Sequence, residues 1–306
     1  MNTIDLLLLL GTLALASTIL IKPQSGDRIF LPLLAMVLVS AMAQIFLSGF
    51  YWQFIPAYLL LLLLAGWAFL IYPKSKKIPN KPFRFSLLVL GLATLLSCSV
   101  LIPVPSLTEP QGSFQVGTKI YRWIDFIRAE QLTADPDDKR NVVVQAWYPI
   151  DQDSKGNHSL YLDGLGNLPG KIGGVPSFLF DHFDQIDTYG KLDVPISKTK
   201  EKWPVILFLN GNGTSRSFYT SLVAGLASFG YVVLTIDHPY EAVMTQLANG
   251  ELVTPIEVYL KDDPDLLKFM ENRLDTRVAD IQFVLTQMDS LNQSEEEFIS
   301  KLDLTR

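Results

Sequence analysis

The chain has 306 residues, 49% of them hydrophobic, with 31 acidic against 25 basic side chains and a formal net charge of -6. Lys74, Lys76, Lys77, Lys81 and Arg84 form a basic cluster between two apolar segments rather than on a folded domain, which argues against a nucleic-acid partner, because backbone tracking needs Lys and Arg clustered on a folded surface. The single cysteine, Cys98, excludes an intramolecular disulfide, and His158, His182 and His238 are too widely spaced for a helical zinc pair, so no metal and no cofactor are expected.

A chain of this length has room for two units. Before Val104 the residues are mostly Leu, Ala, Ile and Val in long runs, and after Pro105 charged residues and turn formers reach ordinary globular density. Four runs, Leu6 to Ile21, Ile29 to Phe50, Trp52 to Tyr72 and Phe85 to Ile102, contain no Asp, Glu, Lys or Arg. Roughly 20 apolar residues in a helix cross the ~30 Å hydrocarbon core, so residues 1–104 read as a four-helix transmembrane anchor with membrane lipids as partners. The lack of ionisable groups within the runs favours a plain anchor over a pump or channel.

Lys74, Lys76, Lys77, Lys81 and Arg84 mark one loop as cytoplasmic, and the shorter link from Lys22 to Arg28, two helices earlier, agrees. The amino terminus and everything after Pro103 are then extracytoplasmic. Two other readings stay open. The first run could be a cleaved signal peptide, with Ala14-Leu15-Ala16 as its cleavage site although it lacks a basic start. The fourth could be a lipid-attachment signal around Cys98, although a buried cysteine commonly serves as a small hydrophobe.

Pro103, Pro105 and Pro110 make a stiff linker, and residues 105–139 are expected to hold that linker and a first strand. From 140 onward the pattern is that of the amino-terminal part of an α/β domain. Asn141 to Tyr148 is a strand stopped by Pro149. Asp151 to Lys202 has no sustained period and reads as a long surface excursion. Val205 to Leu209 is a strand buried on both faces, Ser217 to Phe229 a helix stopped by Gly230, and Tyr231 to Ile236 a second buried strand, which together make a βαβ unit and a mostly parallel sheet. Leu266 to Leu291 is a helix laid on that sheet, and another strand is expected to begin at Leu302.

The informative loop is Asn210-Gly211-Asn212-Gly213-Thr214-Ser215-Arg216-Ser217-Phe218-Tyr219, between a buried strand and a helix. Its glycines let the backbone turn sharply, and free N–H groups there can face a developing oxyanion, although such turns are also common as plain structure. With Gly112-Ser-Phe-Gln-Val-Gly-Thr118 before it, Arg140-Asn-Val-Val-Val-Gln-Ala-Trp-Tyr-Pro149 between, and Tyr231-Val-Val-Leu-Thr-Ile-Asp-His-Pro-Tyr240 after it, the chain resembles the platelet-activating factor acetylhydrolase (isoform II, plasma-type) family of α/β-hydrolases. It looks most like the membrane-anchored bacterial members, and the likeness runs from about Glu109 to Arg306.

The resemblance implies a serine esterase of short or oxidised phospholipid acyl esters, with a Ser-Asp-His triad and no metal. It puts Asn212, between Gly211 and Gly213, where the family offers a backbone N–H to the oxyanion. Asn210 stands where the family usually has His. Arg216, Tyr219, Asp237 and His238 are read as residues that brace this loop. No Gly-x-Ser-x-Gly elbow occurs in the 306 residues. Ser215 and Ser217 are explained by helix capping, so no catalytic nucleophile, acid or base is assigned and the chain reads as an inactive fragment. The rival reading is a non-catalytic membrane protein that uses half a hydrolase fold for interaction or lipid sensing.

Overall fold

The computed structural model describes residues 3–21, 27–47, 49–71, 80–96, 104–168, 170–172, 175–256, 265–295 and 298–305. They form two compact units, Met1–Val104 and Pro105–Arg306.

The first unit contains α1 (Thr3–Ile21), α2 (Asp27–Leu47), a 3-10 turn at Trp52–Phe54 leading into α3 (Ile55–Gly66), a π-helical turn at Trp67–Ile71, and α4 (Lys81–Leu96). Three spans, Thr3–Leu20, Phe30–Leu47 and Trp52–Leu70, are long and apolar enough to cross a membrane. The fourth expected run continues to Ile102, and its last part lies outside the described residues, as do most of the two basic links. Leu8, Leu15, Leu34, Leu60, Leu64 and Leu87 are buried between helices, whereas Phe46, Leu62 and Phe69 face outward. A helix apolar all round is what lipid accommodates. Gly11 lets α1 and α2 approach, since a Cβ there would stand 2.7 Å from Val37 Cγ2.

Two boundaries differ from the sequence reading. Helix α4 begins at Lys81 rather than Phe85, because Asn80 caps it: its Oδ1 accepts from the Phe83 N–H at 3.1 Å and Pro82 sits in the first turn. Helix α1 begins early enough to include Asp5, which is fully buried together with Gln44, so the helices do enclose polar groups.

The second unit is built on β1 (Gln115–Ala129), β2 (Lys139–Ile150), β3 (Lys171–Ile172), β4 (Val175–Pro176), β5 (Gly190–Leu192), β6 (Trp203–Leu209), β7 (Val232–Asp237), β8 (Thr245–Gln246), β9 (Leu252–Val253) and β10 (Leu302–Asp303), with α5 (Thr220–Ser228) and α6 (Leu266–Ser294). Six strands form one sheet in the order β10-β6-β7-β2-β1-β5. The pairs β10·β6, β6·β7 and β1·β5 are parallel, and β7·β2 and β2·β1 are antiparallel.

Period-two alternation decides which face each residue serves. Val142, Val144, Ala146 and Tyr148 of β2, with Val232, Leu234 and Ile236 of β7, pack against Val284, Met288 and Leu291 of α6. Trp147 and Val233 point the other way, against Val223, Ala224 and Ala227 of α5. The sheet is therefore covered on both faces, the condition under which parallel strands read as unbroken apolar runs. Gly230, at φ 96°, terminates α5 in the left-handed region.

Strands β1 and β2 form one hairpin, in register from Gln115↔Ile150 to Asp125↔Arg140, so the expected first strand pairs directly with the strand that follows residue 139. The 151–202 excursion likewise returns to the sheet, where β5 pairs with β1. A three-residue strand has no period to detect. Gly190 within it permits the approach, since a Cβ would meet the Trp147 ring at 2.7 Å.

Gly112 fixes the entry of the chain onto α5: its N–H donates to Ser228 Oγ at 2.9 Å, and a Cβ there would lie 2.0 Å from the Ser228 carbonyl oxygen. Gly112→Ala is expected to lower the stability of this unit by about 1–3 kcal/mol, through displacement of backbone rather than of a flexible side chain. Thermal unfolding followed by protease resistance of residues 105–306 checks it, and an unchanged midpoint would refute the close approach.

Candidate functional site

The Asn210–Gly213 loop lies at the carboxyl end of β6, next to the carboxyl end of its parallel neighbour β7, where open α/β sheets place their ligands. Gly213 adopts φ 70°, which turns the chain toward the 3-10 turn Arg216–Tyr219 that precedes α5. Gly211, Asn212 and Gly213 are exposed. The loop is closed by Thr214, whose N–H and Oγ1 both donate to the Gly211 carbonyl, at 3.2 and 2.7 Å. The Gly211 N–H donates to the Tyr219 hydroxyl at 3.2 Å, and the Tyr219 ring packs on Phe208 of β6. Among the described residues the N–H groups of Asn212 and Gly213 donate to no protein acceptor.

Beneath the loop lies a buried polar network. Asn210 Nδ2 donates to Asp237 Oδ1 at 3.1 Å and to the Thr214 carbonyl at 2.8 Å, so the side chain ties both ends of the loop to the end of β7. Arg216, 2% exposed, pairs with Asp237 and with Asp163 Oδ2 at 2.6 Å, and its Nε donates to Gln145 Oε1 of β2 at 3.1 Å. Burial by itself would depress the Arg216 guanidinium. The carboxylates of Asp237 and Asp163 reverse that and hold it above the ordinary arginine range, firmly charged. Asp163 also receives Arg122 Nη2 of β1, at 2.6 Å, which fastens the 151–202 excursion against the site.

His238, one residue past β7, is buried and turned away from the loop. Its Nδ1 lies 2.8 Å from Asp280 Oδ2 on α6, within a second network in which Arg140 Nη2 and Arg128 Nη1 also reach Asp280, at 2.7 and 2.8 Å. Burial would raise the Asp280 carboxyl, but the hydrogen bond from His238 and the charge of Arg140 bring it down to about 2. Asn212 is approached from α6 by Arg277, whose Nη2 stands 3.4 Å from Asn212 Oδ1 and whose Nε is held by buried Glu241 at 2.8 Å.

The five residues expected to brace the loop thus divide. Asn210, Arg216, Tyr219 and Asp237 all make hydrogen bonds in or under it, whereas His238 belongs to the neighbouring cluster on Asp280. Sequence reading did not find Asp163, Gln145, Arg122, Arg277, Glu241 or Asp280. Each comes from an element distant in the chain and carries no local motif. Ser215 Oγ lies 3.4 Å from Asp237 Oδ2, and neither Ser215 nor Ser217 caps the following turn with its side chain, so the capping expected of them is not realised. Ser215 instead approaches the carboxylate on which Arg216 is anchored. Among the described residues no group of three or more His, Cys, Asp or Glu side chains could hold a metal ion.

Comparison with known proteins gives this arrangement a family. The chain is 26% identical over 215 residues to a protein of Arthroderma benhamiae named as a probable 1-alkyl-2-acetylglycerophosphocholine esterase, covering 64% of this chain and 53% of that one. It is 39% identical over 59 residues to the platelet-activating factor acetylhydrolase of Cavia porcellus, covering 18% of this chain and 14% of that one. Among solved structures, a ferulic acid esterase from Streptomyces cinnamoneus superposes with a TM-score of 0.48 at 22% identity, over 65% of this chain and 52% of the other. The chain spans about half the length of the fungal relative. Residues 103–304, which include every strand of the second unit, match the family model described as platelet-activating factor acetylhydrolase, isoform II, and the chain belongs to that family.

Proposed function

We propose that this chain carries the oxyanion-binding part of a serine esterase that cleaves short-acyl or oxidised acyl esters of glycerophospholipids. The observation that carries the reading is the pair of N–H groups at Asn212 and Gly213 that donate to no protein acceptor among the described residues, on a loop held by Asn210, Thr214 and Tyr219 at the carboxyl end of β6. Donors fixed in advance stabilise the oxyanion of a tetrahedral intermediate without reorganising as the charge develops. Asn210, where the resemblance has His, keeps this bracing by bridging Asp237 and Thr214.

The nucleophile, its acid and its base are not supplied by these residues. Ser215 approaches Asp237, His238 is committed to Asp280, and both are buried, so they do not make an exposed nucleophile and base. In this reading the 306 residues alone hydrolyse no ester. The apolar helices anchor the domain on the outer side of a bacterial cell membrane, whose lipids are its partners and, in an intact relative, its phospholipid ester substrate.

Two measurements test this. A serine-reactive fluorophosphonate added to the purified chain in detergent is expected to label no serine, and p-nitrophenyl acetate is expected to hydrolyse at the rate of buffer. Reading the coding frame past Arg306 is expected to reveal a Gly-x-Ser-x-Gly elbow shortly after β10. A labelled serine within residues 1–306 would defeat the first part, and a frame without an elbow would defeat the second.

A further inference from the structure

The dipeptide Asn-Gly occurs three times in the chain, at Asn210-Gly211, Asn212-Gly213 and Asn249-Gly250. It is the step most prone to lose its amide, because the nitrogen of a residue without a Cβ closes easily on the asparagine side-chain carbonyl. The fold treats the three steps differently. Asn210 is buried, its Nδ2 donates to Asp237 and to the Thr214 carbonyl, and the Gly211 N–H donates to the Tyr219 hydroxyl. Asn249 is exposed, but its Nδ2 donates to Glu251 Oε2 at 3.4 Å, its Oδ1 accepts from the Glu251 N–H at 2.9 Å, and the Gly250 N–H donates to the Leu247 carbonyl at 3.0 Å. Asn212 and Gly213 are both exposed, and among the described residues neither Asn212 Nδ2 nor the Gly213 N–H donates to a protein acceptor. The amide oxygen of Asn212, by contrast, is approached by Arg277 Nη2 at 3.4 Å.

Nucleophile and leaving group are thus free at one step of the three, and a cation stands beside the oxygen on which charge builds during attack. We propose that Asn212 is a site of spontaneous deamidation, which makes the Asn210–Gly213 loop the chemically labile point of this domain. The Gly213 nitrogen gives up its proton and bonds to Asn212 Cγ, the Cγ–Nδ2 bond breaks, and ammonia leaves a succinimide. One water then opens the ring to aspartate or to isoaspartate, with no change of oxidation state. Either product puts a carboxylate where Arg277 can pair with it, and isoaspartate also lengthens the backbone of the loop by one methylene. In the esterase reading above, on which this consequence rests, both changes oppose an oxyanion at the same N–H groups. The deamidation itself rests only on the geometry of the loop.

The test is timed incubation of the full chain in detergent at mildly alkaline pH, followed by peptide mapping with mass spectrometry. Asn210 and Asn212 share the tryptic peptide from Trp203 to Arg216, so fragment ions assign the converted residue. In the folded chain Asn212 is expected to convert about tenfold faster than Asn249 and Asn210, the factor that a committed hydrogen bond at the reacting groups is worth. In urea the three rates are expected to converge, since each step is then an unstructured Asn-Gly. Conversion of Asn212 no faster than that of Asn249 in the folded chain would overturn the proposal. So would a lead for Asn212 that persists undiminished in urea, because local sequence and not the fold would then be its cause. The readout is the mass of a peptide, so it is independent of whether the chain hydrolyses any ester.

Discussion

Arg216→Ala is expected to lower the unfolding free energy of the globular unit by about 3–5 kcal/mol, because it leaves Asp237 and Asp163 without their shared cation. Asp237 is wholly buried, at 0% exposure, and water cannot replace the guanidinium there. The loss also removes the Gln145 contact and frees the 151–202 excursion from the loop. In a domain of this size each kcal/mol moves the melting temperature by roughly 2–4 °C, so a shift on the order of 10 °C is anticipated. Pulse proteolysis of the full chain in urea measures the free energy directly. Replacing Arg216 and Asp237 together by Leu should recover part of the loss, since a buried ion pair exchanged for apolar side chains is far less damaging than a broken one. A single variant with near-normal stability would show that the network is not what holds the loop.

Asp280→Asn is expected to remove much of the acid sensitivity of the same unit. In the folded chain the Asp280 carboxyl is held at about 2, below its ordinary 3.8. A depressed acid binds its proton more readily when unfolded. Its contribution, about 2 kcal/mol, is therefore complete above pH 3.8 and is lost as pH falls toward 2. At neutral pH the variant also leaves Arg140, 2% exposed, with Glu130 as its remaining ion-pair partner, and a net loss of about 3–5 kcal/mol follows. Unfolding free energies at pH 7, 5, 3 and 2 test both parts. Parallel pH profiles for the two proteins would rule out Asp280 as the titrating group.

The organisation of the fold was largely legible wherever the pattern was long and local. Val205 to Leu209 and Tyr231 to Ile236 read as buried strands because parallel strands covered on both faces need unbroken apolar runs, and α6 announced itself by Val284 and Met288 at helical spacing. What failed was short or relied on partners elsewhere. Strand β5 has three residues and enters the sheet only because Gly190 clears Trp147. The bulge between Asp125 and Ala129, which carries Arg128 to Asp280, is a property of the hairpin register and not of either strand.

The same division holds at the candidate site. Asn210, Gly211, Asn212 and Gly213 were visible because a glycine-rich turn after a buried strand is a contiguous signal. Asp163, Gln145 and Glu241 were invisible, since ion pairs between residues tens of positions apart leave no periodicity. His238 shows the consequence. As a sequence feature it belonged with Asp237, yet successive residues at a strand end point to opposite sides, so Asp237 serves Arg216 while His238 serves Asp280.

By itself, then, the sequence determined the separation into an apolar helical unit and an α/β unit, the family, and the loop that offers backbone donors, because hydropathy, strand runs and glycine turns act over neighbouring residues. Only the tertiary structure decided which buried charges neutralise one another. Those outcomes are set by the meeting of β1, β2, β7, α6 and the 151–202 segment, where distance through space replaces distance along the chain.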